Sequence, residues 1–173
     1  ENTKMEVENI NDDENIPDTP IAFKYVFIPS DSSKPMEELE LHSTRKEVLG
    51  CLINHLRDYF ASAAKLTTPQ QRQALKDQLT QHIRKQKNQE DNSEVSEGML
   101  DMMADSQTVD VVPLIPAVAR AGYVSVSMYV DDRGSAKELP LNERASALVS
   151  ACGGDTRVLG DAFVARAYDN EAD

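Results

Sequence analysis

The sequence predicts an α+β fold in which a helical hairpin joins a small mixed or antiparallel sheet, with a strand-helix-strand unit at the C-terminal end and a disordered acidic N-terminal arm. Three observations lead there. Within residues 122–132, Val124, Val126, Met128 and Val130 alternate with Tyr123, Ser125, Ser127 and Tyr129, the period of a strand with one buried and one wetter face. Two segments, opening at Thr44 and Thr68, combine an N-terminal capping pattern with apolar residues at helical spacing. A short capped segment at 143–152 and a further β-rich run at 157–168 follow the alternating stretch.

Composition sets the outer bounds. A chain of 173 residues suffices for one ordinary core, but aromatics are 5% of it and Trp is absent. The formal net charge of -12 repels phosphates and anionic headgroups, so neither nucleic acid nor a membrane surface is an expected partner. Basic protein partners or divalent cations suit it better. No run approaches the roughly 20 apolar residues of a membrane span, and the start has neither a basic nor an apolar leader region. A soluble protein without membrane insertion is the expectation. Opening at Glu1 rather than Met suggests a trimmed chain or a fragment, from which any neighbouring domains would be missing. Two cysteines, Cys51 and Cys152, cannot make a disulfide framework, which favours a reduced intracellular compartment, cytoplasmic or nuclear.

In chain order, residues 1–19 are rich in Glu, Asp and Asn and poor in apolar groups, so they are expected to stay disordered as an acidic arm. Residues 20–173 then form a single α+β domain. The first strand spans 21–28, with Phe23, Tyr25 and Phe27 on one side, and a shorter one is expected at 36–41. Thr44 and Glu47 have capping-box spacing, and Val48, Leu49, Leu52, Ile53, Leu56, Tyr59, Phe60 and Ala63 then share one broad helical face. Thr68, Pro69 and Gln71 start a second helix to about residue 87, with a thin stripe of Leu75, Leu79 and Ile83. Only four residues separate the helices, hence the expected antiparallel hairpin, with the outer sides of the second helix facing water or a partner.

Residues 88–107 hold no Lys or Arg and read as an acidic flexible linker. Inside it Met99, Leu100, Met102 and Met103 make a compact apolar patch, a candidate partner-binding site because flexible Met surfaces suit adaptable docking. The bland alternative is that these residues fold back onto the core. Pro113 and Pro116 restrict the next strand, over 108–112, to a sheet edge. The alternating strand follows as a central strand and ends in a turn at 131–134. Asn142 caps the third helix, Ala145, Leu148, Val149 and Cys152 form its buried face, and Gly153 and Gly154 stop it. Gly160 and Asp161 break the last β-rich run.

Several constellations invite chemistry. Tyr129, Val130, Asp131 and Asp132 resemble the Tyr-x-Asp-Asp signature of reverse transcriptases, in which paired aspartates hold metal ions for phosphoryl transfer. Here Arg133, Gly134 and Ser135 follow instead of a second apolar strand, and the acidic chain has the wrong charge for a template groove. A strand ending in an acidic turn accounts for the residues. Asp131, Asp132, Asp161 and Asp169 form the candidate metal site, since neighbouring strands would bring these carboxylates together. Cys51 and His55 lie one helical turn apart, but a structural zinc needs further ligands from Cys152, His42 and His82. The glycines match neither a Walker loop nor a dinucleotide fingerprint, and no catalytic residue or cofactor is assigned.

The resulting expectation is a non-enzymatic protein-protein interaction module, a subunit, adaptor or assembly factor of a larger intracellular complex. Two alternatives stand beside it: a carboxylate-based enzyme, with or without a divalent metal, and a regulatory or targeting extension of a larger protein.

Overall fold

The computed structural model describes residues 20–44, 47–63, 65–66, 68–86, 96–117 and 125–166. The arm expected at 1–19, residues 88–95 of the expected linker, the start of the alternating strand and Asp169 lie outside them. The described chain is α+β, with four helices and a five-stranded open sheet.

The first strand, β1 (Pro20–Ile28), pairs antiparallel with β2 (Glu37–Thr44), Phe23 opposite Leu41 and Tyr25 opposite Leu39. β2 thus takes in Thr44, the expected helix cap. Its carbonyl accepts from the Glu47 amide at 3.2 Å, but its hydroxyl is buried without a partner, so the capping box does not form. Pairing of Thr44 with Pro20 holds the residue in the sheet instead.

Helix α1 (Val48–Ala63) buries Val48, Leu52, Leu56 and Phe60, one residue per turn. Leu49 shares this face by spacing, yet it is 55% exposed at the margin of the stripe. The buried row packs on Phe23, Tyr25, Tyr129, Phe163 and Ala165 of the sheet. Phe163 gathers four of the scarce aromatics: its ring centroid lies 6.0 Å from Tyr25, 5.1 Å from Phe27, 5.0 Å from Tyr59 and 5.7 Å from Phe60. The contacts with Tyr59 and Phe60 are edge-to-face, an arrangement that adds to area burial.

Helix α2 (Pro69–Gln86) begins with the expected capping box, the Gln71 amide donating to Thr68 Oγ1 and the Thr68 amide to Gln71 Oε1, both at 3.2 Å. Its apolar stripe meets a helix that the sequence reading had as linker, α3 (Glu97–Asp105): Leu75 clusters with Ala104 and Ala136, and Leu79 packs alongside. Part of α2 expected to face water or a partner is therefore covered from within the chain.

Strand β3 (Val109–Ile115) occupies the expected edge and shifts register between Pro113 and Ile115, where proline interrupts the ladder. It pairs with β4 (Val126–Asp131), which is internal, while the middle position belongs to β5 (Ala162–Arg166) in the order β2-β1-β5-β4-β3. Every neighbouring pair is antiparallel. Helix α4 (Glu143–Ala151) connects β4 to β5 and covers the face opposite α1, packing Ala145 and Val149 on Ile28, Met128, Val130 and Ala162. The face of β4 expected to be wetter is thus closed at Tyr129, only 3% exposed, because α1 covers it. Asn142 caps α4 through the Ala145 amide at 3.0 Å, and Gly153, at φ +87°, takes the left-handed position after it.

Leu52 and Leu56 have no exposed surface, so alanine at either should cost about 2–5 kcal/mol in urea unfolding. Leu49→Ala should stay within about 0.5 kcal/mol, as for an exposed helix position.

Candidate functional site

β4 ends at Asp131, and the following turn carries Lys137 back beneath it: the Lys137 amide donates to the Arg133 carbonyl at 2.9 Å, and Glu138 adopts φ +57° to complete the reversal. Lys137 Nζ lies 2.6 Å from Asp131 Oδ2, with the two side chains 2% and 1% exposed. It also donates to the Phe60 carbonyl and to Gln107 Oε1, each at 2.8 Å. All three ammonium N–H groups therefore have acceptors. Asp131 Oδ1 accepts from the Arg133 amide and from Gln107 Nε2, each at 2.9 Å. A buried ion pair persists only with such completion, because desolvation of both charges is expensive. Phe60 lies in the last turn of α1, where carbonyls lack helical partners and a cation is favourable.

Arg133, 6% exposed, performs a similar service for α3. Its Nη1 donates to the Ala104 carbonyl at 2.6 Å, and Nη2 to the carbonyls of Met103, at 2.8 Å, and Ser106. Its buried Nε has no hydrogen-bond partner, with Asp132 Oδ2 4.0 Å away. Asp132 accepts from Gln107 Nε2 at 2.6 Å and from the Thr108 hydroxyl. Burial pushes its carboxyl above the ordinary aspartate value, against the pull of Thr108 and Arg133. On the outer side of α3, Arg72 reaches Asp105 at 2.7 Å and Asp101 at 3.1 Å, while Lys76 reaches Asp101 at 2.7 Å. Hydrogen bonds from Lys76 and then Arg72 hold the Asp101 carboxyl below its usual range.

Beside this cluster is a cavity of about 170 Å³ between the ends of β4 and β5, lined among others by Tyr59, Phe60, Asp131, Leu139, Pro140 and Asp161. Val130 pairs with Ala162, so Asp131 and Asp161 occupy the next opposed positions, on one face of the sheet. Asp161 Oδ1 accepts from the Ser30 amide at 2.8 Å and its hydroxyl at 3.0 Å, and Oδ2 accepts from Tyr59 OH at 2.6 Å. Burial, reinforced by this carboxylate, raises the Tyr59 phenol well above the ordinary tyrosine value. Asn142, fully buried, donates to the carbonyls of Ile28 at 2.9 Å and Gly160 at 3.0 Å, fixing the two strand ends that flank the cavity. Gly160 is favoured by its φ of +79°, a conformation that side chains with a Cβ rarely adopt.

The acids singled out in the sequence are thus separated in role. Asp131 and Asp161 share the cavity; Asp132 turns to Gln107 and Thr108; Asp169 is not among the described residues. Among the described residues, no group of three or more His, Cys, Asp or Glu side chains could hold a metal ion. Cys51 accepts from the Ser43 hydroxyl at 3.2 Å, whereas His55 pairs with Tyr25 OH at 3.1 Å. Of the apolar patch, Met99 and Met102 are 49% and 68% exposed, and Leu100 and Met103 are half-buried.

Spacing does not reveal Lys137 or Gln107, and it places Tyr59 on the packed face of α1 without its bond to Asp161. A lysine between Ala136 and Glu138 carries no local sign of burial, and its acceptor on Phe60 is distant in the chain. Arg144 escaped as well; it donates to the carbonyls of Pro29 at 2.6 Å, Asp31 at 2.9 Å and Lys34 at 2.8 Å, securing the β1–β2 loop.

Lys137→Met should cost roughly 3–5 kcal/mol by leaving Asp131 buried and unpaired, and the double change Lys137→Met with Asp131→Leu should recover part of that loss in denaturant unfolding. Asp101 and Asp132, shifted in opposite directions, should act on stability with opposite signs. Asp101, with its value lowered, contributes stability above the unfolded aspartate value that is lost as pH falls through its folded value. Asp132, with its value raised, favours the fold below the unfolded value and loses that contribution as pH rises through its folded value. Asp132→Asn should accordingly flatten the loss on the rising limb, read as melting temperature from about pH 3 to about pH 7. No family model, curated protein or solved structure matches the chain.

Proposed function

We propose that the chain is a non-enzymatic protein-protein interaction module, a subunit, adaptor or assembly factor of a larger intracellular complex, and that α3 is its docking helix. The observation that carries this reading is the exposure of Met99 and Met102, one helical turn apart on a helix secured from behind. Ser96 caps the helix through the Met99 amide at 3.3 Å, Arg72 and Lys76 hold its acids, and Arg133 holds its last carbonyls. An adaptable thioether surface on a fixed backbone reduces the ordering cost of binding. Glu97, 88% exposed in its side chain, and the chain's net charge of -12 give the surroundings a negative field. The complementary partner is an apolar segment flanked by Lys or Arg.

The carboxylate-enzyme reading draws on the cavity beside Asp131 and Asp161, but Asp131 is already neutralised by Lys137 and Asp161 already receives three hydrogen bonds. That arrangement suits binding better than proton transfer.

The test is cross-linked capture from native extract, using the intact chain and a double variant, Met99→Ser with Met102→Ser. Because both positions are exposed, the variant should melt with the intact chain. The expected result is a sequenced partner whose cross-links map to α3 through a basic-flanked apolar segment, and whose capture is lost in the folded variant and weakened by salt. A partner captured equally by both chains, or none by either, would overturn the proposal.

A further inference from the structure

We infer that the cavity between the ends of β4 and β5 is a binding site for a primary ammonium on a short alkyl stem, with Asp161 as its counter-ion. This does not rest on the docking role of α3.

The argument begins with local charge. Lys137 cancels Asp131 at 2.6 Å, so that wall of the cavity is electrically spent. Asp161 is different: its three donors, the Ser30 amide, the Ser30 hydroxyl and Tyr59 OH, are all neutral, and no ion pair to it occurs among the described residues. The cavity therefore carries about one uncompensated negative charge on a half-buried carboxylate. Neutral donors stabilise that charge without cancelling it, and a carboxylate has roughly four acceptor directions, so one remains for a further donor.

The other walls select the rest of the ligand. Phe60, Ala63, Leu139 and Pro140 offer apolar surface for a stem. About 170 Å³ is several times the roughly 30 Å³ share of one water molecule, enough for a short amine. A hard divalent ion is a poor match, since magnesium and calcium require about six or more oxygens and one of the two carboxylates is already paired. Anions are excluded by the sign of the charge. The ammonium could belong to a free amine or to the lysine side chain of a protein, two sources of the same chemistry.

The experiment follows backbone amide resonances of the intact protein by NMR during titration with n-butylammonium and with a blocked peptide, acetyl-Gly-Lys-Gly-amide. Uncharged n-butanol and anionic butyrate serve as shape controls. Saturable shifts at Ser30, Phe60, Ala63, Gly160 and Asp161 with butylammonium, without matching shifts from either control, are expected. Tighter binding of the peptide would assign the source to a protein lysine, and tighter binding of butylammonium to a free amine. Asp161→Asn should weaken butylammonium binding about tenfold, the loss of a charge-assisted contact. If that variant fails to fold, the butanol control in the native chain still isolates the charge. No saturable shift with either cation, or equal binding of butanol and butylammonium, would overturn the inference.

Discussion

The contact between Lys137 and Asp131 is the one on which the remaining elements depend. Two opposite charges sit almost wholly out of water, 2.6 Å apart, and the arrangement is tolerable only while every donor and acceptor around it is used. Meeting that condition recruits distant chain segments: the Phe60 carbonyl at the end of α1, Gln107 at the junction of α3 and β3, and the Arg133 amide in the turn after β4. One ion pair thereby fixes where a helix ends, where an edge strand starts and how a turn closes. Its net contribution to stability is modest by comparison with the specificity it imposes.

Around that polar point the apolar layers divide the work. The face under α1 is aromatic, with Phe163 of the middle strand touching Phe27, Tyr59 and Phe60, whereas the face under α4 is aliphatic, built on Ile28, Met128, Val130 and Val149. Tyr59 links the aromatic packing to the polar cavity, since its ring belongs to the aromatic cluster and its hydroxyl to Asp161. The α2–α3 pair is held differently, by a small apolar contact at Leu75 and Ala104 and by ion pairs from Arg72 and Lys76. Surface ion pairs contribute little individually and weaken with salt, so the hold between α2 and α3 is the more sensitive to ionic strength.

Much of this was legible wherever the determining contacts are local. The row from Val48 to Phe60, the box at Thr68 and Gln71, and the Asn142 cap all follow from spacing within a few residues. Thr44 misled because a β-branched hydroxyl residue suits a strand end as well as a helix cap, and pairing with Pro20 decided between them. Tyr129 read as the wetter side because alternation cannot reveal that helices cover both faces of a sheet. Helix α3 was hidden in an acidic segment because the cations balancing Asp101 and Asp105 come from α2. In the candidate site, the acids were visible while their partners were not. Lys137, Gln107 and Tyr59 acquire their roles only through tertiary contacts.

Native-state hydrogen exchange of the Lys137→Met protein, compared with the intact chain, tests the organising role of this ion pair most directly. The account predicts that amides near the end of α1, along the last turn of α3 and at the start of β3 lose protection together, while β5 keeps more of its own. Loss confined to residues adjoining Lys137, with α1, α3 and β3 unaltered, would contradict it.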